Sequence, residues 1–441
     1  MFKYVLKRLG LSVIILLGVS IIIYFLVRLM PTDYLETKFS AQILQGTITY
    51  EQLDEFKKRY GLYMPDAYLD IDLADESLSD VTFSKDTKSQ TKKDLEDGIL
   101  KYNEFYAGTY AGDRDDLYLE FKEDNTFRVY EKNDSGTSVI LSGLYNANEH
   151  SFTLQVTQTN STCSVNAEYR AAGFFDKFSA VLSGYFTWLG NMLRGDLGDS
   201  FLYQQPVGKV IAEHMWISFI ISLVALVFQF AISIPLGITS ATHQYSIADY
   251  SVTIITMIGI SLPSFFFAAL LIKIFSSWLG WFPAFGLVTG GGSSTGIAYV
   301  FDMLHHLVLP MIVLVVLSIG GLMRYTRTNM LEVLNSDYIR TARSKGLSEK
   351  KVIYVHAFRN TMIPLMTLLA GILPSLFGGA MITEEVFAID GIGRLAYKAL
   401  QQGDVPFIMG YNMFLAVLTV IGTLLSDLMY AVVDPRVKLS K

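Results

Sequence analysis

The apolar residues of this chain are gathered into runs of about twenty, and this clustering constrains the fold more than any other feature. A helical run of about 20 apolar residues matches the thickness of the hydrocarbon core of a bilayer. The sequence therefore predicts an all-α polytopic membrane protein with six transmembrane helices. The predicted spans are Leu9–Met30, Trp216–Thr239, Ser251–Ser276, Leu307–Leu322, Met362–Thr383 and Tyr411–Val433.

The first apolar run also admits a second interpretation, a signal peptide that is removed. Its apolar stretch is longer than the roughly 7–15 residues typical of such a peptide. No small-residue cleavage pattern follows Met30. We therefore expect an uncleaved anchor that crosses the bilayer.

Basic residues are distributed unequally between the two sides of these spans. The short flanks on one side carry fourteen Lys and Arg residues, and those on the other side carry only Arg394 and Lys398. Because basic flanks stay on the cytoplasmic side, the sequence predicts a multi-pass plasma-membrane protein with both termini in the cytoplasm and residues 31–190 outside the cell. The fourteen residues are Lys3, Lys7, Arg8, Arg324, Arg327, Arg340, Arg343, Lys345, Lys350, Lys351, Arg359, Arg436, Lys438 and Lys441.

Residues 31–190 differ from the rest of the chain in charge. They hold 15 Lys and Arg against 27 Asp and Glu, a net charge of −12, whereas the remaining residues hold 20 against 14, a net charge of +6. The sequence thus predicts an acidic soluble portion attached to a basic membrane portion, and nothing in it suggests nucleic-acid binding. Cys163 is the only cysteine, which excludes an internal disulfide and a cysteine metal site.

The acidic portion changes its hydrophobic period along its length. Segments 51–60 and 86–106 have helical spacing, whereas from Leu117 onward apolar and polar residues alternate and turn residues separate the runs. We predict an extracellular α+β domain that contains a small antiparallel β-meander with one solvated face. Such a domain could dock an extracellular partner or substrate, or be a decoration without that role.

The segment between the fourth and fifth spans is basic and helix-forming. Arg340, Arg343 and Lys345 would each cost about 3 kcal/mol at the centre of a bilayer, so the segment must leave the membrane. Ser336 is a favourable N-cap, and Gly346 can end the helix in a left-handed conformation. A short helix on the cytoplasmic membrane face is predicted, and ordinary positive-inside loop chemistry is the alternative interpretation.

This segment resembles the cytoplasmic EAA-type loop of binding-protein-dependent ABC importer permeases, in the form of the oligopeptide, dipeptide and nickel branch. A small residue, three variable residues and a glycine form the core of that motif, matched here by Ala342 and Gly346. The resemblance implies a type I ABC importer permease fold in which this helix docks into the ATPase subunit. The residues implied in coupling are Asp337, Tyr338, Arg340, Thr341, Ala342, Arg343, Lys345 and Gly346.

The resemblance extends over residues 1–65 and 185–441 and is carried by several motifs in order. These are YFTWLGNMLRGDLGDSF at 185–201, PLG at 235–237, SLPSF at 261–265, VFAIDGIGRLAYKA at 386–399 and DPR at 434–436. Residues at about 64–183 depart from the family pattern as an insert. We expect a first helix within residues 1–30, an extracellular domain at 31–190, and a permease core at 191–441 with its coupling loop at 324–361.

The resemblance implies the permease subunit of an ATP-driven importer, most simply of oligopeptides. Its implied partners are a second permease subunit, two ABC ATPase subunits, an extracellular substrate-binding lipoprotein, a peptide and membrane lipid. The chain contains no G-x-x-x-x-G-K-[ST] motif, so we expect no enzyme activity and no catalytic, cofactor or metal residues, with ATP and Mg bound by the ATPase partners. The alternatives are a membrane-anchored receptor or scaffold that acts through its β-domain, export or gradient-driven carriage, and import of a non-peptide solute such as nickel.

Prolines within the third and fifth spans predict bends, because each proline removes a backbone donor and crowds the preceding turn. Such bends could line a translocation path, or they could only serve helix packing. The candidate path residues are Ser261, Pro263, Ser264, Phe265, Pro364 and Pro374.

Overall fold

The computed structural model of the protein describes residues 2–28, 39, 42, 50–75, 78–87, 89–96, 100–112, 116–133, 136–148, 151–157, 162–164, 166–290 and 296–433. The DPR motif at 434–436 lies outside these residues. The chain divides into two compact units. One unit comprises residues 48–188, and the other comprises residues 1–47 and 189–441.

The first unit consists of short helices and a nine-stranded antiparallel sheet. Its helices are α2 (Tyr50–Arg59), α3 (Ser89–Glu96) and α4 (Tyr102–Tyr106). Its strands are β1 (Ala67–Asp75), β2 (Leu78–Thr87), β3 (Gly108–Gly112), β4 (Leu117–Phe121), β5 (Thr126–Asn133), β6 (Gly136–Asn148), β7 (Ser151–Val156), β8 (Thr162–Ser164) and β9 (Asn166–Ala171).

The two ends of this sheet are β8, which pairs with β7, and β9, which pairs with β1, and these two strands follow one another in the chain. Strands β1 to β8 each pair with their neighbours in the chain, and β9 returns to pair with β1, with Ala67 opposite Ala171. The two end strands, β8 and β9, are separated in the chain by residue 165 alone. The meander therefore forms a barrel, an arrangement that removes exposed sheet edges.

Alternation of apolar and polar residues builds the interior of the barrel. Leu69, Ile71 and Leu73 of β1 are buried in one core with Leu119 and Phe121 of β4. The intervening residues point outward, as expected for a strand with one solvated face. The predicted antiparallel meander is confirmed.

The predicted extent of the meander was wrong. Strands begin at Ala67 rather than near Leu117, and the segment 86–106, predicted helical, starts as the end of β2 and then forms the short helices α3 and α4. The solvated face of β1 carries Asp70 and Asp72, and that of β2 carries Thr82, Ser84 and Asp86, residue types that are also common in loops. The predicted helix at 51–60 is confirmed as α2.

The second unit is helical. Helix α5 (Phe174–Leu193) connects it to the first unit in the chain. Its own helices are α1 (Phe2–Arg28), α6 (Val207–Thr242), α7 (Ile247–Ser261), α8 (Ser264–Leu271) with a π-helical continuation to Trp278, α9 (Ile297–Leu334), α10 (Asp337–Ser344), α11 (Glu349–Lys351) with a π-helical continuation to Ala357, α12 (Phe358–Gly378), α13 (Met381–Val386), α14 (Ile392–Gln401) and α15 (Val405–Val433).

Five helical stretches within the described ranges are long and apolar enough to cross a bilayer. A further pair, α7 and α8, passes the same criterion only as one bent unit, with an angle of 100° at the break. Pro263 explains that break, since it cannot donate to the preceding turn. The predicted fifth span, Met362–Thr383, was wrong at its end: α12 stops at Gly378, before Gly379 with φ of 73°.

Glycines bring the long helices close together. A Cβ at Gly237 of α6 would lie 2.7 Å from the Thr326 Cβ of α9, and a Cβ at Gly320 of α9 would lie 2.7 Å from the Thr256 carbonyl oxygen of α7. Small residues at helix crossings are the usual means of close packing between transmembrane helices. The glycines thus position α6, α7 and α9 as a tightly packed group beside the coupling segment.

Candidate coupling site and translocation path

The basic segment forms the short helix α10 at the place that the sequence predicts. Ser336 precedes it in an extended conformation, and Gly346 follows it with φ of 74°. The Ser336 hydroxyl donates to the Val333 carbonyl at 2.6 Å instead of accepting from the helix. The predicted helix and its glycine elbow are confirmed, whereas the predicted side-chain cap is not formed. Because the sequence resemblance predicts a coupling role for this segment, we refer to α10 as the coupling helix.

The coupling helix has one face against its own chain. Ile339 is fully buried, and Ala342 is only 8% exposed. These two side chains belong to one apolar cluster with Ile238 and Ala241 of α6 and Met330 of α9. Ala342, which the sequence groups with the coupling residues, therefore faces its own chain rather than the surface.

The opposite face of the coupling helix is exposed. Tyr338, Arg340, Thr341 and Lys345 all lie on it, and Asp337 is exposed at its first turn. Arg340 Nη1 also lies 3.7 Å from Asp337 Oδ1, and this solvent-exposed ion pair contributes little to the free energy of folding. The face thus exposes an aromatic ring and two cations.

An ion pair spans the glycine elbow. Arg343 Nη2 donates to Glu349 Oε1 at 2.7 Å, which joins the end of the coupling helix to the first turn of α11. About half of each side chain is exposed, so the pair adds little to the free energy of folding. The pair connects the end of the coupling helix with the helical segment that leads into α12.

A second ion pair, which the sequence analysis missed, lies next to the coupling segment. Asp249 in the first turn of α7 is 4% exposed and accepts from Arg327 Nε and Nη2 of α9 at 3.1 and 3.0 Å. The same carboxylate accepts from the Ser240 hydroxyl and from the Tyr245 backbone N–H. The sequence feature that could have indicated this ion pair is Asp249 itself, the only acidic residue in the segment 240–250, which contains no Lys or Arg.

The candidate path residues fall into two groups. Ser261, Pro263, Ser264 and Phe265 lie together at the bend between α7 and α8, where Phe265 is 58% exposed. The Ser261 hydroxyl donates to the Met257 carbonyl of its own helix at 2.8 Å.

The other two candidates, Pro364 and Pro374, lie on α12 and are both half-buried. The two groups differ in their effect on the helix. The helix is interrupted at the bend between α7 and α8, whereas α12 continues through both of its prolines.

A buried carboxylate, also missed from the sequence, organises the segment after α12. Glu384 is 1% exposed and accepts from the Ser218 hydroxyl of α6 at 2.8 Å, from the Ala380 N–H at 2.9 Å and from the Arg394 N–H at 3.0 Å. A Cβ at Gly391 would lie 2.5 Å from this carboxylate, so glycine provides the space for it. Helices α13 and α14 are thereby fixed to α6.

A second buried carboxylate, Asp404, stands at the start of α15. It accepts from the Ser200 hydroxyl, the Leu202 N–H at 2.9 Å and the Phe407 N–H at 3.3 Å. The Phe407 contact satisfies one donor at the N-terminus of α15, and the other two contacts connect residues 200–202 to that helix end. Within the described ranges, no three His, Cys, Asp or Glu side chains are grouped as metal ligands.

Comparison with known proteins gives consistent matches over the helical part of the chain. Residues 233–439 match the family model described as the binding-protein-dependent transport system inner membrane component. The oligopeptide transport system permease protein AppB of Bacillus subtilis is 42% identical over 256 residues, which are 58% of this chain and 79% of that protein. The dipeptide transport system permease protein DppB of Alkalihalophilus pseudofirmus is 36% identical over 269 residues, covering 58% of this chain and 80% of that protein.

Among solved structures, an inward-facing form of the MetNI methionine ABC transporter is similar with a TM-score of 0.39. The two chains are 16% identical, and the match covers 51% of this chain and 96% of that chain.

Proposed function

Because this chain belongs to the binding-protein-dependent ABC importer permeases, in the branch of the oligopeptide and dipeptide permeases, we propose that it forms one half of a peptide translocation pathway. A second permease subunit supplies the other half. Two ABC ATPase subunits bind and hydrolyse ATP with Mg, and an extracellular lipoprotein delivers the peptide. The chain itself is a permease without enzyme activity.

The proposed topology has six spans, with α7 and α8 together counted as one bent span. Both termini and the coupling helix lie in the cytoplasm, and the barrel of residues 48–188 lies outside the cell. The excess of Lys and Arg in the flanks on the coupling-helix side supports this orientation.

The observation that carries the coupling role is the division of the coupling helix into two faces. Its outer face offers Tyr338, Arg340 and Lys345 to an ATPase subunit, while Ile339 and Ala342 pack on α6 and α9. A displacement of the helix by ATPase closure is therefore transmitted to both spans by direct van der Waals contact, since packed interiors resist compression.

The elbow provides a second connection. Through Arg343 and Glu349 the coupling helix is tied to the chain that continues into α12. A displacement of the coupling helix is thus transmitted to α6, α9 and α12. The bend at Ser261–Phe265 lies in the bent span, which packs against α9. We propose that rearrangement around this bend opens the path for the peptide, with Pro364 and Pro374 allowing α12 to follow.

Neutralising variants of the exposed face test this proposal. Arg340→Gln and Lys345→Gln are expected to lower peptide uptake into proteoliposomes that contain the full importer, and to reduce ATP hydrolysis stimulated by the loaded binding protein. Arg324→Gln is the matched control, because Arg324 is an exposed cation of α9 outside the coupling helix. Equal effects of all three variants would contradict a specific docking role.

Purification from detergent separates the permease from the receptor alternative. The importer subunit is expected to retain two ATPase chains and a second permease, whereas a membrane-anchored receptor would be recovered without them. Uptake assays with labelled peptides and with nickel distinguish the two solute classes. ATP-independent uptake would instead indicate gradient-driven carriage.

A further inference from the structure

Helix α5 carries an exposed apolar stripe along its whole length. Six large side chains on it are between 45% and 83% exposed. At 100° per residue they fall within one arc of about 120°, so they share one side of the helix. They are Phe174, Phe175, Phe178, Leu182, Phe186 and Leu193.

The side of α5 next to the Phe174 edge of the stripe is covered by its own chain. Gly184, Tyr185 and Trp188 are buried on that side. The helix backbone is approached so closely that a Cβ at Gly61 would lie 2.2 Å from the Gly184 carbonyl oxygen. The helix is therefore held in place from one side, and its aromatic stripe faces away from the fold.

The charges around the stripe favour a phospholipid surface. Lys177 near the beginning of the helix and Arg194 just after its end are both exposed and lie beyond the two edges of the apolar arc. The one carboxylate of the helix, Asp176, is turned away into contacts with Arg170 Nη1 at 2.6 Å and the Gly173 N–H at 2.8 Å. An apolar face flanked by cations is typical of helices that lie in the headgroup region.

The position of α5 in the chain also favours a location at the membrane surface. Only residues 194–206 separate it from α6, the first long apolar helix after the barrel. A segment of that length keeps the end of α5 within reach of the bilayer that α6 crosses. The stripe therefore lies only a short linker away, in the chain, from a helix that is apolar enough to contact lipid.

We propose that α5 lies in the lipid headgroup interface, on the side of the bilayer that carries residues 48–188, with its stripe inserted among the acyl chains. The helix would then anchor the barrel to the membrane surface. This inference rests on the membrane location of the chain and is independent of the solute that is carried.

Site-directed spin labelling of the full chain in nanodiscs of phosphatidylethanolamine and phosphatidylglycerol tests the proposal. Cys163, the only cysteine, is first replaced by Ser. Nitroxides are then placed at Phe178→Cys and Phe186→Cys on the stripe, and at Ser183→Cys on the exposed polar side of the same helix. Collision rates with oxygen, which concentrates in lipid, and with a water-soluble nickel chelate are compared.

The stripe labels are expected to collide more with oxygen than with the nickel chelate, and the Ser183→Cys label is expected to show the reverse. Stripe labels as accessible to the chelate as Ser183→Cys would overturn the proposal. Labels shielded from both reagents would also overturn it, because a protein partner would then cover the stripe. Val227→Cys, at an exposed position of α6, is the control: a water-exposed label there would contradict the membrane span itself.

Discussion

Asp249 and Arg327 join the first turn of α7 to α9 through two hydrogen bonds of 3.0 and 3.1 Å, although 78 residues separate them in the chain. Arg327 precedes the coupling helix by ten residues, and Thr326 beside it packs against Gly237 of α6. The pair therefore connects the bent span with the two helices that receive the coupling helix. Movement of α9 is expected to carry α7 with it.

Removal of one partner from this pair should destabilise the protein. Asp249→Asn leaves the Arg327 guanidinium beside a neutral amide, and we expect a loss of about 1–3 kcal/mol, below the cost of a fully buried pair because Arg327 is partly exposed. Thermal unfolding of the purified importer measures this loss. The double variant with Arg327→Gln should lose less than the sum of the two single variants, and strict additivity would contradict a direct interaction.

The glycine elbow gives a prediction about coupling. Gly346 has φ of 74° and open space around its Cβ position, so the backbone conformation and not crowding selects glycine. Gly346→Val should cost about 1–2 kcal/mol in the left-handed conformation and shift the coupling helix. The ratio of peptide uptake to ATP hydrolysis is expected to fall.

Gly346→Asn is the control for that substitution, because Asn tolerates the left-handed conformation. It should retain a ratio of uptake to hydrolysis close to that of the unaltered protein. Identical behaviour of the Val and Asn variants would show that the conformation of the elbow is unimportant for coupling.

The buried carboxylate of Glu384 gives a prediction about stability. Glu384→Gln places an amide NH2 group either against the Ser218 hydroxyl and the Ala380 N–H or against the Arg394 N–H. Each buried polar group left unpaired costs about 1–3 kcal/mol. The apparent Tm of the purified importer should fall by several degrees. Glu385→Gln is the matched control, since Glu385 is partly exposed and Arg394 retains Asp390 as a partner at 2.7 Å. A larger loss in the control would contradict the role assigned to Glu384.

The junction between the barrel and α5 should respond to pH. Arg170 and the Gly173 N–H donate to Asp176 and hold the pKa of its carboxyl below its usual range. A lowered pKa in the folded state stabilises the fold above the unfolded-state pKa of about 4, and the stabilisation is lost as pH falls further. Amide exchange over residues 166–176 should therefore accelerate, after correction for intrinsic rates, as pH falls below about 4. The Asp176→Asn variant should lack this additional acceleration.

Local patterns of residues predicted much of the membrane unit. The segment 337–345 and Gly346 predict a short helix with an elbow through local backbone preferences, whereas the side-chain cap predicted at Ser336 is not formed. Pro263 predicts the break between α7 and α8 for the same reason. The barrel was only partly predicted, because recognising β1 and β2 required reading Asp70 and Asp72 as a solvated face rather than as loop residues.

Sequence by itself determined which segments are apolar enough to span a bilayer and which segment must leave it, because hydrophobicity, proline and glycine act on their immediate neighbours. Tertiary structure alone decided the pairing of Glu384 with Ser218 across 166 residues, the contact between Asp249 and Arg327, and the inward orientation of Ala342. Buried polar groups must find partners wherever the fold places them, and no periodicity along the chain specifies those partners.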